Sequence, residues 1–347
     1  MKKIVKIVLI FLAILGLLNL AEIRANAVNV EVNNSQDNVI EVQESETTTN
    51  KTEKEEIKLS KTKKTLYVGE KYTLKIKGTT KKAKWWKSSN TKVATVNSNG
   101  KVTAKKKGTA EIKVKVGDKK IKCTIKVKNL PSDSKSTKGV IYLTFDDGPS
   151  ATITPKVLDI LKKEKVKATF FVLNYSKSNE KLIKRIVKEG HTIGIHGYSH
   201  EYSKIYKSKK VFLNNVYKLQ DNIYKLTWVK TKFMRFPGGS SNTVSRHYSK
   251  GIMSLLTKEM LSRGFRYFDW NVSSGDAGGA KTSNDVYRNV TKNLSKKRGN
   301  MVLCHDFAGN TKTLNALSKI IKYAKKNGYT FKAIDKNTPM YAHGVNN

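Results

Sequence analysis

Asp146 and Asp147 stand side by side where the apolar, β-branched run Val140-Ile-Tyr-Leu-Thr-Phe145 stops. Two adjacent carboxylates repel each other unless a cation or a proton intervenes. Gly148 and Pro149 follow and form a turn that cannot continue a strand. The acids therefore sit at a strand's C-terminal end, the edge at which open α/β sheets and barrels carry their chemistry. Further along, His196-Gly-Tyr-Ser-His200 sets two imidazoles four residues apart, a spacing at which a helical turn aims both at one point. Two neutral imidazoles and a carboxylate are a usual ligand set for a transition metal and leave positions open for water. Three more clusters close strand-like runs: Arg235-Phe-Pro-Gly-Gly239, Asp269-Trp-Asn-Val-Ser-Ser-Gly-Asp276 and Leu303-Cys-His-Asp306. Arg235 can hold an aspartate ionised, and His305 can act as an acid.

The elements that must position these groups alternate. Strands are predicted at 140–145, 167–173, 191–195, 232–236, 265–270, 300–304 and 330–334, and helices at 154–164, 179–189, 209–227, 245–263, 284–297 and 313–327. A right-handed βα repeat of this kind gives a parallel sheet. Its seven strands predict an α/β fold, a distorted seven-stranded (β/α) barrel over 139–347, with five clusters at one mouth.

Ahead of it the chain reads differently. A basic start, Met1-Lys-Lys-Ile-Val-Lys6, an apolar run from Ile7 to Leu18 and the small residues of Ala25-Asn26-Ala27 are the three parts of a secretory signal at 1–27. If it is not cleaved, it would serve as a membrane anchor. Residues 28–56 hold eight acids, two lysines and no aromatic residue, the composition of a disordered spacer. From Ile57 to Lys128 the sign reverses, with 23 lysines against three acids. Seven short alternating strands are predicted there, at 65–68, 72–76, 83–86, 93–96, 101–104, 110–116 and 121–127, separated by turn signals such as Asn99-Gly100. They make an all-β sandwich over 57–129, with lysines outward and Trp85 or Trp86 as core anchor. A Pro/Ser-containing linker, 130–138, follows.

The whole chain has 68 Lys and Arg against 27 Asp and Glu, a formal charge of +41. Such a balance suggests a polyanionic partner. The secretory start points to cell-wall polymers rather than nucleic acid. Two cysteines, Cys123 and Cys304, exclude a disulfide framework and read as small buried hydrophobes.

Two resemblances rest on these residues. Tyr67-Val-Gly-Glu70, Trp86-Lys-Ser-Ser-Asn90, Val93-Ala-Thr-Val96, Asn99-Gly-Lys-Val102 and Lys107-Gly-Thr-Ala110 resemble the bacterial Ig-like domain, group 2. That resemblance implies an extracellular spacer or adhesion module without catalysis. Thr144-Phe-Asp-Asp-Gly-Pro149, His196-Gly-Tyr-Ser-His200, Arg235-Phe-Pro-Gly-Gly239 and Leu303-Cys-His305 resemble the polysaccharide deacetylase (NodB-homology) domain of carbohydrate esterase family 4. This second resemblance implies that Asp147, His196 and His200 hold a divalent cation, usually Zn²⁺, with Co²⁺, Ni²⁺ or Mn²⁺ as alternatives. It makes Asp146 the general base, oriented by Arg235 with its pKa held low. Gly238 N–H becomes an oxyanion donor, Leu303 the lining for the acetyl methyl, and His305 the acid for the leaving amine.

One motif departs from the family's pattern. The fourth usually reads Asp-x-x-Asp-Trp after an aromatic residue. Aligning on Trp270 places Ser273 at the first Asp, Asp276 at the second and Ala277 at the Trp. Either Asp276 or Asp269 substitutes from a shifted position, or His305 works with a less perturbed pKa. Tyr202, Tyr206, Phe236 and Trp270 are candidates for stacking on sugar rings or for core, while His191, His247 and His343 are read as structural or surface residues. The expected function is a secreted, monomeric N-deacetylase of peptidoglycan N-acetylglucosamine, giving lysozyme resistance, its Lys-rich domain held by anionic wall polymers. Chitin, exopolysaccharide or O-acetyl (acetylxylan-type) deacetylation, or a catalytically weakened wall-binding protein, are the alternatives.

Overall fold

A computed structural model describes residues 56–132 and 134–347. The expected signal peptide and nearly all of the expected spacer lie outside the described residues.

Alternating lysine and apolar residues build nine short strands: β1 (Lys58–Leu59), β2 (Lys63–Tyr67), β3 (Lys71–Thr73), β4 (Ile76–Lys77), β5 (Ala83–Ser88), β6 (Ala94–Val96), β7 (Lys101–Ala104), β8 (Gly108–Val116) and β9 (Lys119–Lys128). One sheet runs β2-β9-β8-β5, a second β3-β7-β6, and β1 pairs β4. Along β8, Ala110, Ile112, Val114 and Val116 are buried while Lys113 faces solvent, the period-two pattern of a half-buried strand. The expected strand at 72–76 divides into β3 and β4. The centre of this core is aliphatic, formed by Leu66, Ile112, Val114, Ile125 and Val127. Of the two tryptophans expected to anchor the core, Trp86 packs against its side, half-buried, and Trp85 lies under the Lys87 ammonium.

After a single 3₁₀ turn at Lys135–Thr137, all seven residues of β10 (Val140–Asp146) are buried. A continuous apolar run is what a parallel strand covered on both faces requires. The remaining strands are β11 (Thr169–Leu173), β12 (Thr192–Gly197), β13 (Phe233–Met234), β14 (Arg266–Tyr267), β15 (Val272–Ser273), β16 (Asn300–His305) and β17 (Thr330–Phe331). Six of them join β10 in the path β14-β13-β12-β11-β10-β16-β15, with every pairing parallel, and β17 is added to β10. The sheet is a curled, open half-barrel. Its helices are α1 (Thr154–Lys163), α2 (Glu180–Lys188), α3 (Tyr202–Ile205), α4 (Lys209–Thr227), α5 (Ile252–Ser262), α6 (Ser283–Asn293) and α7 (Thr311–Lys326).

The differences from expectation have local causes. From Thr144 onward the edge of β10 is taken by β11, so β17 pairs only with Val140 and Ile141. The unforeseen β15 fills the end of the path because Val272 is buried against Val302. The helix expected at 245–263 is broken at Gly251, whose φ of 76° separates a 3₁₀ turn from α5. The helix expected to reach 297 ends at Asn293, where Leu294 turns extended.

Side chains alternate across β10 and β16. Phe145, Val302 and Cys304 belong to the core beneath the helices. Tyr142 and Met301 face the inside of the curl with Phe171 and Phe268. By the same period, Thr144, Asp146, Leu303 and His305 share that inner face.

Candidate active site

Register assembles the site. In the β10–β16 ladder Asp146 lies opposite His305 and Thr144 opposite Leu303, and neighbouring strands are about 4.8 Å apart. Arg235 follows β13, and its N–H donates to the Ile195 carbonyl at 3.0 Å, which places it beside the end of β12.

The Arg235 side chain is completely buried. Its Nη1 donates to Asp146 Oδ1 at 2.8 Å and to Thr144 Oγ1 at 2.7 Å, Nε to the Phe268 carbonyl at 2.7 Å, and Nη2 to the Asp269 carbonyl at 3.1 Å. Burial pushes the Asp146 carboxyl above its ordinary value, and Arg235 and His305 pull it back only in part. Arg235 thus orients Asp146 and favours its charge, as expected, but does not hold its pKa low. Desolvation inside the half-barrel wins.

Asp147 has turned away from the strand, with a φ of 70°. Its Oδ1 is buried and has no hydrogen-bond partner. It lies 3.4 Å from His196 Nε2 and 3.9 Å from His200 Nε2. The ligand-capable atoms of Asp147, His196 and His200 all fall within 4.8 Å of one another. His196 is buried, and its Nδ1 meets the Arg235 carbonyl at 3.0 Å. A carbonyl only accepts, so Nδ1 carries the hydrogen and Nε2 presents its lone pair. Burial pushes the His196 pKa down to about 3, so the ring stays neutral. An orphaned carboxylate oxygen facing the His196 lone pair and the Nε2 of a second imidazole fits a divalent cation.

Of the alternatives for the fourth motif, the geometry selects Asp276. Its Oδ1 accepts from His305 Nδ1 at 2.7 Å. Its Oδ2 accepts from the His305 N–H at 2.8 Å, Asn310 Nδ2 at 2.8 Å and Thr313 Oγ1 at 2.5 Å. Burial acts to raise the Asp276 carboxyl, but the bonds from His305 and Thr313 outweigh it and hold it far below the usual range. Burial acts to lower His305, yet the Asp276 bond and the charges of Asp146 and Asp147 leave it raised. Asp269 is occupied elsewhere, taking the Ser240 and His343 main-chain N–H groups at 2.8 Å each and the Ser240 hydroxyl. Ser273 is exposed on β15, and Ala277 is exposed.

Gly238 is exposed and has a φ of 75°, and a Cβ there would lie 2.6 Å from the Tyr202 hydroxyl oxygen. No other residue fits so close a turn. Leu303 is buried on the inner face, and Trp270 is half-buried with its ring edge-on to His343 at 4.8 Å. Tyr206 and Phe236 are fully buried, Tyr206 donating to the Pro237 carbonyl at 2.7 Å, so they belong to the core and not to a sugar groove. Tyr202 remains half-buried, edge-on to His200 at 5.1 Å. His191 is buried and His247 exposed, while His343 bridges Ser241 and the Trp270 carbonyl. Cys304 is buried beneath the helices, where burial pushes its thiol well up.

Sequence reasoning gave no role to Thr144, Asn310, Thr313 or Asp306. Asp306 follows His305 directly and is buried, with one carboxylate oxygen unpartnered. Burial pushes it up to about 7. Its adjacency to His305 was the available signal; the others become partners only through folding.

Residues 133–252, which carry Asp146, Asp147, His196, His200, Arg235 and Gly238, match the polysaccharide deacetylase family, and the bacterial Ig-like domain (group 2) matches over 54–127. A peptidoglycan-N-acetylglucosamine deacetylase of Bacillus cereus is 33% identical over 202 residues, 57% of this chain and 87% of the relative. A Listeria monocytogenes enzyme of the same name is 33% identical over 239 residues, 65% of this chain and 46% of the relative. Among solved structures, the catalytic domain of a peptidoglycan N-acetylglucosamine deacetylase from Eubacterium rectale superposes with a TM-score of 0.58 at 41% identity, over 62% of this chain and 96% of that one. Identity and fold agree over one region, and on that ground the chain belongs to the polysaccharide deacetylase family, hydrolases that act on amide bonds.

Proposed function

We propose that the protein is a secreted, metal-dependent N-deacetylase that removes acetyl groups from the N-acetylglucosamine of peptidoglycan. The observation that carries the chemistry is the buried, unpartnered Asp147 Oδ1 facing His196 and His200 beside a second, arginine-held carboxylate. The substrate assignment draws on relatives named for that glycan.

Asp147, His196 and His200 would hold the ion, for which Zn²⁺ suits the mixed nitrogen and oxygen donors, with Co²⁺, Ni²⁺ or Mn²⁺ as substitutes. Bound there, it would supply Lewis acidity, lowering the pKa of water from near 16 to about 7 and polarising the acyl oxygen. The chain's own groups do the rest. Asp146 accepts the proton of the attacking water on Oδ2, the oxygen Arg235 leaves free, and burial makes it a stronger base than an exposed aspartate. The Gly238 N–H donates to the carbonyl oxygen as negative charge develops there. His305, kept protonated by Asp276, gives its proton to the departing amine, so that the C–N bond breaks instead of the newly formed C–O bond. Leu303 lines the space for the acetyl methyl and Trp270 offers a face to the sugar. The lysine-rich Ig-like domain retains the enzyme on anionic wall polymers.

Incubation with isolated walls should convert N-acetylglucosamine to glucosamine in muropeptide mass spectra and make those walls harder for lysozyme to cut. Unchanged acetylation would refute the substrate assignment. Removing 57–128 should leave turnover of soluble chito-oligosaccharide nearly intact while retention on walls falls and loses salt sensitivity. Loss of soluble turnover would show that the two parts are not separable.

Asp147→Asn should lower zinc content, whereas Asp146→Asn should keep zinc and lose the proton acceptor, with activity down about 10²-fold to 10⁴-fold in each. Excess zinc should partly restore only the Asp147 variant. Elemental analysis beside turnover checks this, and the reverse pattern would exchange the two roles.

His305 must be protonated to act, so the rate should decline as pH rises through its folded pKa. Asp276→Asn removes the leading cause that raises that pKa. The alkaline limb of kcat should move to lower pH while the acid limb stays, and an unmoved profile would exclude the coupling. The same raised pKa contributes stability that is fully present below the ordinary value of 6.5 and lost as pH climbs through the folded one.

A further inference from the structure

The turn Asp146–Ser150 is held at both ends through one residue, Asp306, by its main-chain N–H at the start and, by way of Thr154, its carboxylate at the end. At its start, the Asp306 N–H donates to the Asp146 carbonyl at 3.1 Å, extending the β10–β16 pairing one step beyond His305. At its end, Thr154 Oγ1 accepts from the Ser150 N–H at 2.8 Å and donates to Asp306 Oδ2 at 2.5 Å. The middle is tied by the Leu173 N–H to the Gly148 carbonyl at 2.8 Å. Asp306 therefore closes a loop of contacts, Asp146 to Asp306 to Thr154 to Ser150, around the two residues between the catalytic acid and the proline.

Inside that loop Asp147 adopts its φ of 70°. A left-handed conformation is unfavourable for a residue with a Cβ, and it persists only where the surroundings impose it. The surroundings here are close. A Cβ on Gly148 would lie 2.3 Å from Asp306 Oδ2 and 2.4 Å from Oδ1. Gly148 is not among the positive-φ glycines, so alanine would be excluded there by the Asp306 carboxyl and not by the backbone. Asp306 is 1% exposed, and its Oδ1 is buried without a partner. A buried oxygen left unsatisfied is destabilising, so the contribution of Asp306 to stability does not account for its carboxylate.

We infer that Asp306 is a positioning residue: it presses and ties the turn so that Asp147 is held left-handed with its carboxylate aimed at Nε2 of His196 and His200. This rests on the reading of Asp147 as a metal ligand. The clamp acts on the affinity of the site for its ion and, through it, on turnover. Because β16 delivers both His305 and Asp306, the proton donor and the metal-binding turn are set by one strand end.

The test is zinc titration of the full chain against a competing chelator, with folding monitored by circular dichroism. Asp306→Ala should weaken zinc binding about 10-fold to 100-fold, as supporting partners of metal ligands do, and lower kcat at subsaturating zinc with KM little changed. Asp306→Asn keeps the shape and an acceptor for Thr154 and should restore most of the affinity. Gly148→Ala should weaken zinc binding in the parent but add little in the Asp306→Ala background, since the contact it disturbs is already gone. It also keeps the measurement available if Asp306→Ala does not fold. Parent-like zinc affinity in a folded Asp306→Ala or in Gly148→Ala overturns the clamp. Failure of the parent itself to bind zinc overturns the metal-site reading, and the clamp with it.

Discussion

Taking a guanidinium out of water costs several kcal/mol, which is offset only when nearly every N–H finds an acceptor. Arg235 meets that condition inside the half-barrel. Its acceptors come from β10 and from the segment after β14, and the ring of Phe171 lies 4.6 Å from its guanidinium carbon. None of these groups is a neighbour in sequence. The strands have to reach register before the cation can be enclosed, so a folded sheet and an oriented Asp146 are one event. The same burial sets the chemistry, since a dry interior raises the Asp146 carboxyl despite the positive charge beside it.

The half of the site around His305 obeys a similar rule from the opposite side. Asp276 is nearly as buried as Asp146 but has its oxygens filled with donors, including the His305 main chain and the side chains of Asn310 and Thr313. Two enclosed carboxylates a strand apart are thus driven in opposite directions, one toward basicity and one toward permanent charge. The distinction comes from the count of hydrogen bonds, because both are removed from water to a similar degree.

Much of this was legible in the residue order because strand ends announce themselves. The apolar run that stops at Asp146-Asp147 and the strand before His305 each state a position as well as a residue type, whereas His196 and His200 meet because the chain bends after β12 and not through the helical turn their spacing suggested. What escaped depends on contacts between distant segments. Nothing in Asn310 or Thr313 marks them as partners of Asp276, and the break at Gly251 looks like one tolerated glycine in a helical pattern. The pKa of Asp146 was misjudged because a nearby arginine is visible in sequence and the degree of enclosure is not. Tyr206 and Phe236 were ambiguous for the same reason. The place of Asp276 was left open by alignment on Trp270 and was decided by the short β15, which sets the following turn against His305.

Arg235 serves Asp146 and His196 through different parts of itself. Its guanidinium engages Asp146, whereas its main-chain carbonyl fixes the His196 tautomer. Every amino acid has that carbonyl. A change at this position can therefore abolish the arrangement of Asp146 and still leave the His196 lone pair turned toward Asp147. One main-chain carbonyl and one side chain of the same residue thus divide the work, so the two neighbourhoods they hold are separable by substitution at a single position.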